Sequence, residues 1–316
     1  MAFAKKNMVD MRVIFLGTSA STPTADRGLS SLAIQRGSEL LLFDAGEGMQ
    51  RNFIRSRLGM NKSMKIFVTH MHGDHCIGLL GLLQTLSLHG RSIPLHIYGH
   101  EKLHEFLKEN MRIVNFGLSF EVKMHTIKNE GVVIREKDYE VTCCEADHLV
   151  PSFSYCLVEF DRPGIFDLDA ARRFHIPEGR LYGLLQHGKD IVFEGRLIKS
   201  CQILGPSRAG RKIGISGDTR PSGKLRNFFK ECDLLVYEST YGKDRYDKAL
   251  ENFHSTASEA ALLARDSRVK KLVLTHFSTR YKETSVLLNE ARSVFRNAEA
   301  AEDLDIVDIP YNESVL

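Results

Sequence analysis

Thr69-His70-Met71-His72-Gly73-Asp74-His75 puts three imidazoles and a carboxylate within six residues, directly after the apolar run Ile66-Phe67-Val68. Imidazole nitrogen and carboxylate oxygen suit zinc or another borderline divalent ion. Polar groups this dense behind an apolar strand need a partner, because burying them unpaired is costly. Gly73 is expected to give the turn its backbone freedom. Three later sites repeat the context of a polar residue ending an apolar run: Asp147-His148 after 141–144, Asp218 after 213–216, and His276 after 272–274. Five histidines and two aspartates are enough for two metals with one bridging carboxylate. Such a pair suits a phosphoryl substrate, since it holds a nucleophile and neutralises developing charge.

Those residues need elements that carry them to one place. Apolar, β-branched runs predict strands at 11–16, 40–43, 65–69, 95–98, 141–144, 153–158, 213–216, 234–237 and 271–275. If these are strands, all four polar clusters fall at one edge of the sheets. Helices are expected at 49–58, with Met49, Phe53, Ile54 and Leu58 on one face, at 76–88, and at 258–265 behind a Thr256/Glu259 capping box. Strands and helices in both halves imply an α/β sandwich, two sheets face to face under outer helices. The first ten residues read as a polar tail outside the fold.

The segment from 161 to 211 breaks the pattern and reads as an insertion carrying a short helix and a hairpin. Residues 171–212 hold nine Lys or Arg against three acidic residues, although the whole chain has a net charge of only +3. The local surplus, not the total, points towards a polyanion. The six cysteines show no CxxC spacing, which fits reduced thiols in a cytoplasmic protein. No apolar run has the length of a membrane span.

The ordered set HMHGDH, His148, Asp218 and His276 resembles the metallo-β-lactamase superfamily. Further motifs resemble the short form of ribonuclease Z (tRNase Z): Leu16-Gly17-Thr18-Ser19, Phe43-Asp44-Ala45-Gly46-Glu47-Gly48, Ser216-Gly217-Asp218-Thr219-Arg220-Pro221, Tyr237-Glu238-Ser239-Thr240, Phe253-His254-Ser255-Thr256 and Leu274-Thr275-His276-Phe277-Ser278. The match runs from about 11 to 309. Arg27-Gly28 stands where the family has Arg-Asn, Ala45 where it has Cys, and Ser154 where it has Gly.

The resemblance implies an αββα metallo-β-lactamase domain over 11–316 with a protruding, flexible tRNA-binding arm at about 161–211. It implies two zinc ions per subunit, or manganese or another divalent ion in their place. One would be held by His70, His72 and His148, the other by Asp74, His75 and His276, with Asp218 bridging. A metal-bound hydroxide would cut precursor tRNA after the discriminator base, leaving a tRNA 3′-hydroxyl and a 5′-phosphorylated trailer. Asp74 would belong to the catalytic set with His254, a proton donor oriented by Glu238. Arg180, Lys189, Arg196, Lys199 and Arg208 are the candidate RNA contacts. The family further implies a homodimer through the helix near 49–58, each arm acting on tRNA bound to the partner. Two other functions fit parts of the pattern: a hydrolase of small phosphodiesters or other esters, and a non-catalytic RNA-binding protein.

Overall fold

Runs rich in Leu, Ile and Val become strands here because both of their faces are covered. The computed structural model describes residues 10–311, so of the expected tail only Asp10 falls within it. The chain builds β1 (Met11–Gly17), β2 (Ser31–Arg36), β3 (Glu39–Phe43), β4 (Ser63–Phe67), β5 (Leu95–Gly99), β6 (Val122–Thr126), β7 (Gly131–Arg135), β8 (Tyr139–Glu145) and β9 (Phe153–Glu159). A hairpin of β10 (Ile191–Phe193) and β11 (Arg196–Ile198) follows. The later strands are β12 (Lys212–Ile215), β13 (Leu234–Glu238), β14 (Leu272–Thr275), β15 (Ala298–Ala300) and β16 (Ile306–Asp308). All nine expected strands are present, their ends moved by at most two residues.

Among the described residues two seven-stranded sheets form, ordered β16-β1-β2-β3-β4-β5-β6 and β15-β14-β13-β12-β9-β8-β7. Both are mixed: β1–β3 pair antiparallel while β3–β6 run parallel, and β12–β15 run parallel beside an antiparallel β7–β8 pair. Successive strand residues face opposite layers. Val13, Phe15, Phe43 and Phe67 meet Tyr155, Ile213, Val236 and Val273 between the sheets. Ile14, Leu16, Leu42 and Ile66 point outward to helices α1 (Met49–Arg55), α3 (Gly78–Leu88) and α4 (Glu101–Val114), with the single turn α2 (Gly73–Cys76) leading into α3. Three expectations change. The helix expected at 49–58 ends at Arg55, so Leu58 lies beyond it. Helix 76–88 starts earlier, at Gly73, and is interrupted at Ile77. Ile54 is 48% exposed while Met49, Phe53 and Leu58 are buried, because Ile54 stands about 140° around the helix from Met49.

Val158–Arg211 together with Tyr311 forms a compact unit of its own. It holds α5 (Leu168–Arg173), α6 (Arg180–Gln186) and the β10–β11 hairpin around a small core of Ala171, Ile176, Leu185, Ile191, Ile198 and Ile203. Arg162 and Arg208 exchange backbone hydrogen bonds of 2.7 and 2.9 Å. Arg211, counted above among the cations available to a polyanion, is instead 1% exposed and donates through Nε and Nη2 to Glu159 at 2.7 and 2.9 Å. It is a structural ion pair, since a buried charge without a partner would be expelled. Of the candidate contacts, Arg180, Lys189, Arg196 and Lys199 are exposed. Arg208 is half-buried, its Nε donating to the Pro163 carbonyl.

The remaining helices are α7 (Gly223–Phe228), α8 (Tyr246–Glu251), α9 (Ala257–Asp266) and α10 (Ser285–Arg292). The capping box is formed: Thr256 accepts from the Glu259 N–H and Glu259 accepts from the Thr256 N–H. All six cysteines are free thiols; five are buried and Cys201 is exposed. No helix among the described residues is long and apolar enough to cross a membrane.

Candidate metal centre and active site

Parallel strands place their carboxyl ends on one edge, and β3–β4 in one sheet and β12–β14 in the other do so here. The chain turns sharply on leaving them. Asp44, Gly217 and His276, one or two residues past β3, β12 and β14, have φ of 60°, 60° and 58°. Left-handed backbone is uncommon at Asp or His, so packing must hold those two turns. Gly217 meets the requirement without strain, and a Cβ there would come within 3.0 Å of Thr69. Gly73, by contrast, is not left-handed; the space it leaves is filled by Ile77, whose Cδ1 would lie 2.7 Å from an added Cβ.

Two groups of donors result. His70 Nε2 lies 3.1 Å from His72 Nδ1, which lies 3.2 Å from His148 Nε2. In the second group the Nε2 atoms of His75 and His276 are 3.3 Å apart, and Asp74 Oδ2 is 3.5 Å from His276 Nε2. Asp218 reaches both: Oδ2 is 3.6 Å from His70 Nε2 and 3.3 Å from His75 Nε2, and Oδ1 is 3.4 Å from His276 Nε2. Atoms bound tetrahedrally to one ion at zinc–nitrogen distances stand about 3.4 Å apart, so the spacing fits divalent metals. A further observation supports the fit: Asp218 Oδ1 is buried without a hydrogen-bond partner, an acceptor that a cation would satisfy. The groups able to hold a metal comprise all seven expected ligands.

Most of the candidate ligand rings are oriented from behind. Thr69 donates its N–H and Oγ1–H to Asp44, whose Oδ2 lies 2.7 Å from His75 Nδ1. Thr69 Oγ1 is 2.9 Å from His70 Nδ1, and Thr240 Oγ1 is 2.9 Å from His276 Nδ1. His148 donates from Nδ1 to the Phe253 carbonyl at 3.0 Å. These contacts leave Nε2 of His70, His75, His148 and His276 to face the centre, whereas His72 presents Nδ1. Burial and the neighbouring His75 push the His70 pKa down. Burial alone would raise Asp218, but His276 and His75 hold its carboxyl well below the usual range.

Glu238 ends β13 and is 1% exposed. Its carboxylate accepts from the N–H of Thr219 at 2.9 Å, from Thr240 Oγ1 at 2.7 Å and from His254 Nδ1 at 2.8 Å. Burial would lower the His254 pKa, but Glu238 outweighs it and raises it to about 9. His254 is close enough to Asp218 and His276 to be considered a ligand. Its commitment to Glu238 through Nδ1 favours a proton-carrying role. His72, Asp74, His148, Asp218 and His254 line one open cleft of about 660 Å³, with Ser21, Glu47 and Tyr241 on its walls.

Asp44, Thr69, Thr240 and the Phe253 carbonyl were not singled out from sequence. Asp44 had a readable signal, a polar residue ending the apolar run Leu40–Phe43. The two threonines and the carbonyl had none, because they act on the ligands only after the fold brings them near.

Residues 11–170 match the family described as Anti-Pycsar protein Apyc1. The chain is 47% identical to a ribonuclease Z of Nitrosopumilus maritimus over 95% of this chain and 100% of that protein. It is 43% identical to a ribonuclease Z of Myxococcus xanthus, over 96% and 99%. Among solved structures it is similar to the short form of human tRNase Z, with a TM-score of 0.70 and 30% identity over 95% of this chain and 100% of that one.

Proposed function

Because the chain belongs to the ribonuclease Z family, we propose that its cleft removes the 3′ trailer of precursor tRNA, cutting after the discriminator base. The protein is an endoribonuclease of the metallo-β-lactamase fold that acts in tRNA 3′ processing. The observation that carries the finer reading is Asp218 joining two donor groups beside the Glu238–His254 pair. His70, His72 and His148 would hold one zinc ion, Asp74, His75 and His276 the other, and Asp218 both. When bound, such a pair supplies Lewis-acid polarisation of the phosphoryl oxygens and a water of lowered pKa.

This chain's own residues do the rest. The Ser21 N–H donates to Asp74 Oδ2 at 2.7 Å, fixing that carboxylate at the lip of the cleft. His254, its Nδ1 proton held by Glu238, presents Nε2–H to the leaving 3′-oxygen of the discriminator nucleotide. Protonating that oxygen yields the tRNA 3′-hydroxyl, and the phosphate departs on the 5′ end of the trailer. Beside the cleft, and sharing Pro23 and Glu47 with it, a second hollow is lined by Arg27, Arg51 and Arg55, cations suited to backbone phosphates. The protein would work in the cytoplasm as a homodimer, its Val158–Arg211 unit gripping tRNA on the partner through Arg180, Lys189, Arg196, Lys199 and Arg208.

Purified protein with zinc or manganese is expected to cut a precursor tRNA transcript once, at the 3′ trailer, with product ends mapping to a tRNA 3′-hydroxyl and a trailer 5′-phosphate. A transcript left whole while bis-p-nitrophenyl phosphate is hydrolysed would establish a small-phosphodiester hydrolase instead. A binding measurement examines the arm separately. Deleting residues 164–207 is expected to raise the RNA dissociation constant about tenfold or more and to flatten its salt dependence, since phosphate contacts are lost. Small-diester hydrolysis should be spared. An unchanged affinity would remove the arm from the reading.

A further inference from the structure

Arg220 follows the bridging ligand by two residues, yet its guanidinium is turned to the loop that carries His254. Its Nη1 donates to the His254 carbonyl at 2.6 Å and to Glu259 Oε2 at 2.9 Å, and its Nη2 pairs with Glu259 Oε1. Its backbone N–H donates to the Asp147 carbonyl at 2.8 Å, and the Asp147 N–H donates to Thr219 Oγ1 at 3.0 Å. Ser255 Oγ donates to the Thr219 carbonyl at 2.6 Å. Three loops, around His148, Asp218 and His254, are therefore tied together at this arginine. The loop it holds is a strained one. Phe253 has φ of 55°, unusual for a bulky residue, and its carbonyl receives His148 Nδ1 while the next carbonyl receives Arg220.

We propose that Arg220, backed by Glu259, is the positioning residue that sets His254 against the leaving oxygen. The inference rests on His254 being the proton donor. The residues lining the cleft do not include Arg220; its guanidinium is turned to the His254 carbonyl and Glu259, so it acts through the place of one ring. A ring displaced by about 1 Å can lose about a hundredfold in rate.

The test is a double-mutant cycle on the full-length, metal-loaded protein with precursor tRNA. Arg220→Gln is expected to lower kcat about 10- to 100-fold with KM nearly unchanged. In a His254→Ala background the same substitution is expected to cost less than about threefold, because no donor remains to be misplaced. Equal losses in both backgrounds would overturn the proposal. A parental rate in His254→Ala alone would instead refute the donor reading, so the two failures are distinct. Glu259→Gln gives an independent arm, since glutamine preserves the capping box with Thr256 while removing the ion pair. It is expected to show the same background-dependent fall in kcat. A parental kcat there would also overturn the proposal, whether or not Arg220→Gln folds.

Discussion

Asp218→Ala is expected to abolish cleavage, by about a thousandfold or more, and to weaken metal binding in both donor groups at once. Its Oδ2 lies between the two groups, near His70 of the first and His75 of the second, while Oδ1 faces His276 of the second. With two cations bound as proposed, removing the carboxylate would take away the negative charge that offsets their mutual repulsion. Metal stabilisation of a phosphoryl transition state amounts to several kcal/mol, and about 4 kcal/mol corresponds to the thousandfold loss. Elemental analysis of the dialysed variant gives the direct reading. His276→Ala is the control, expected to lose one ion and keep the other. If Asp218→Ala retains as much metal as the parent, the bridging assignment fails.

The second large effect belongs to His254. His254→Ala is expected to slow precursor tRNA cleavage by about 10²- to 10⁴-fold, the range of a general acid, while keeping its metal. His72→Ala should lose metal along with activity. The contrast follows from His254 Nδ1 being committed to Glu238 at 2.8 Å, whereas His72 Nδ1 sits among other ring nitrogens. Leaving-group chemistry sharpens the reading. Hydrolysis of bis-p-nitrophenyl phosphate should fall much less, because p-nitrophenolate departs without a proton. Equal metal loss in the two variants would make His254 a ligand, and equal loss on both substrates would remove its acid role.

How much of this was legible in the chain depends on what each residue does. The long internal strands announced themselves through unbroken apolar runs. Among the strands not expected, β6, β7, β15 and β16 are short or partly exposed, and their mixed composition does not distinguish them from loops, whereas β2 is largely buried but has an apolar run of only three residues, Leu32–Ile34. Helix α4 had a usable signal in Leu103 and Leu107, one turn apart and both buried, amid a charged run. The candidate metal ligands were legible because dense polar groups behind a strand have few alternative uses. Their orienting partners, Asp44 apart, were not. A threonine hydroxyl or the Phe253 carbonyl becomes chemical only through a tertiary approach, and left-handed turns at Asp44 and His276 leave no mark in residue type. Arg211 erred in the other direction: it looks like one more surface cation until Glu159 is placed against it.

The distribution of thiols has a practical consequence. Burial raises Cys76, Cys143 and Cys144 to about 11, and pushes Cys156 up as well, which keeps them poor nucleophiles at neutral pH. Cys201 is the exposed one, and it lies in the Val158–Arg211 unit beside Lys199. A maleimide dye should therefore attach to the unaltered chain at that place alone. If the Val158–Arg211 unit binds RNA as proposed, the dye's fluorescence would report that binding independently of cleavage.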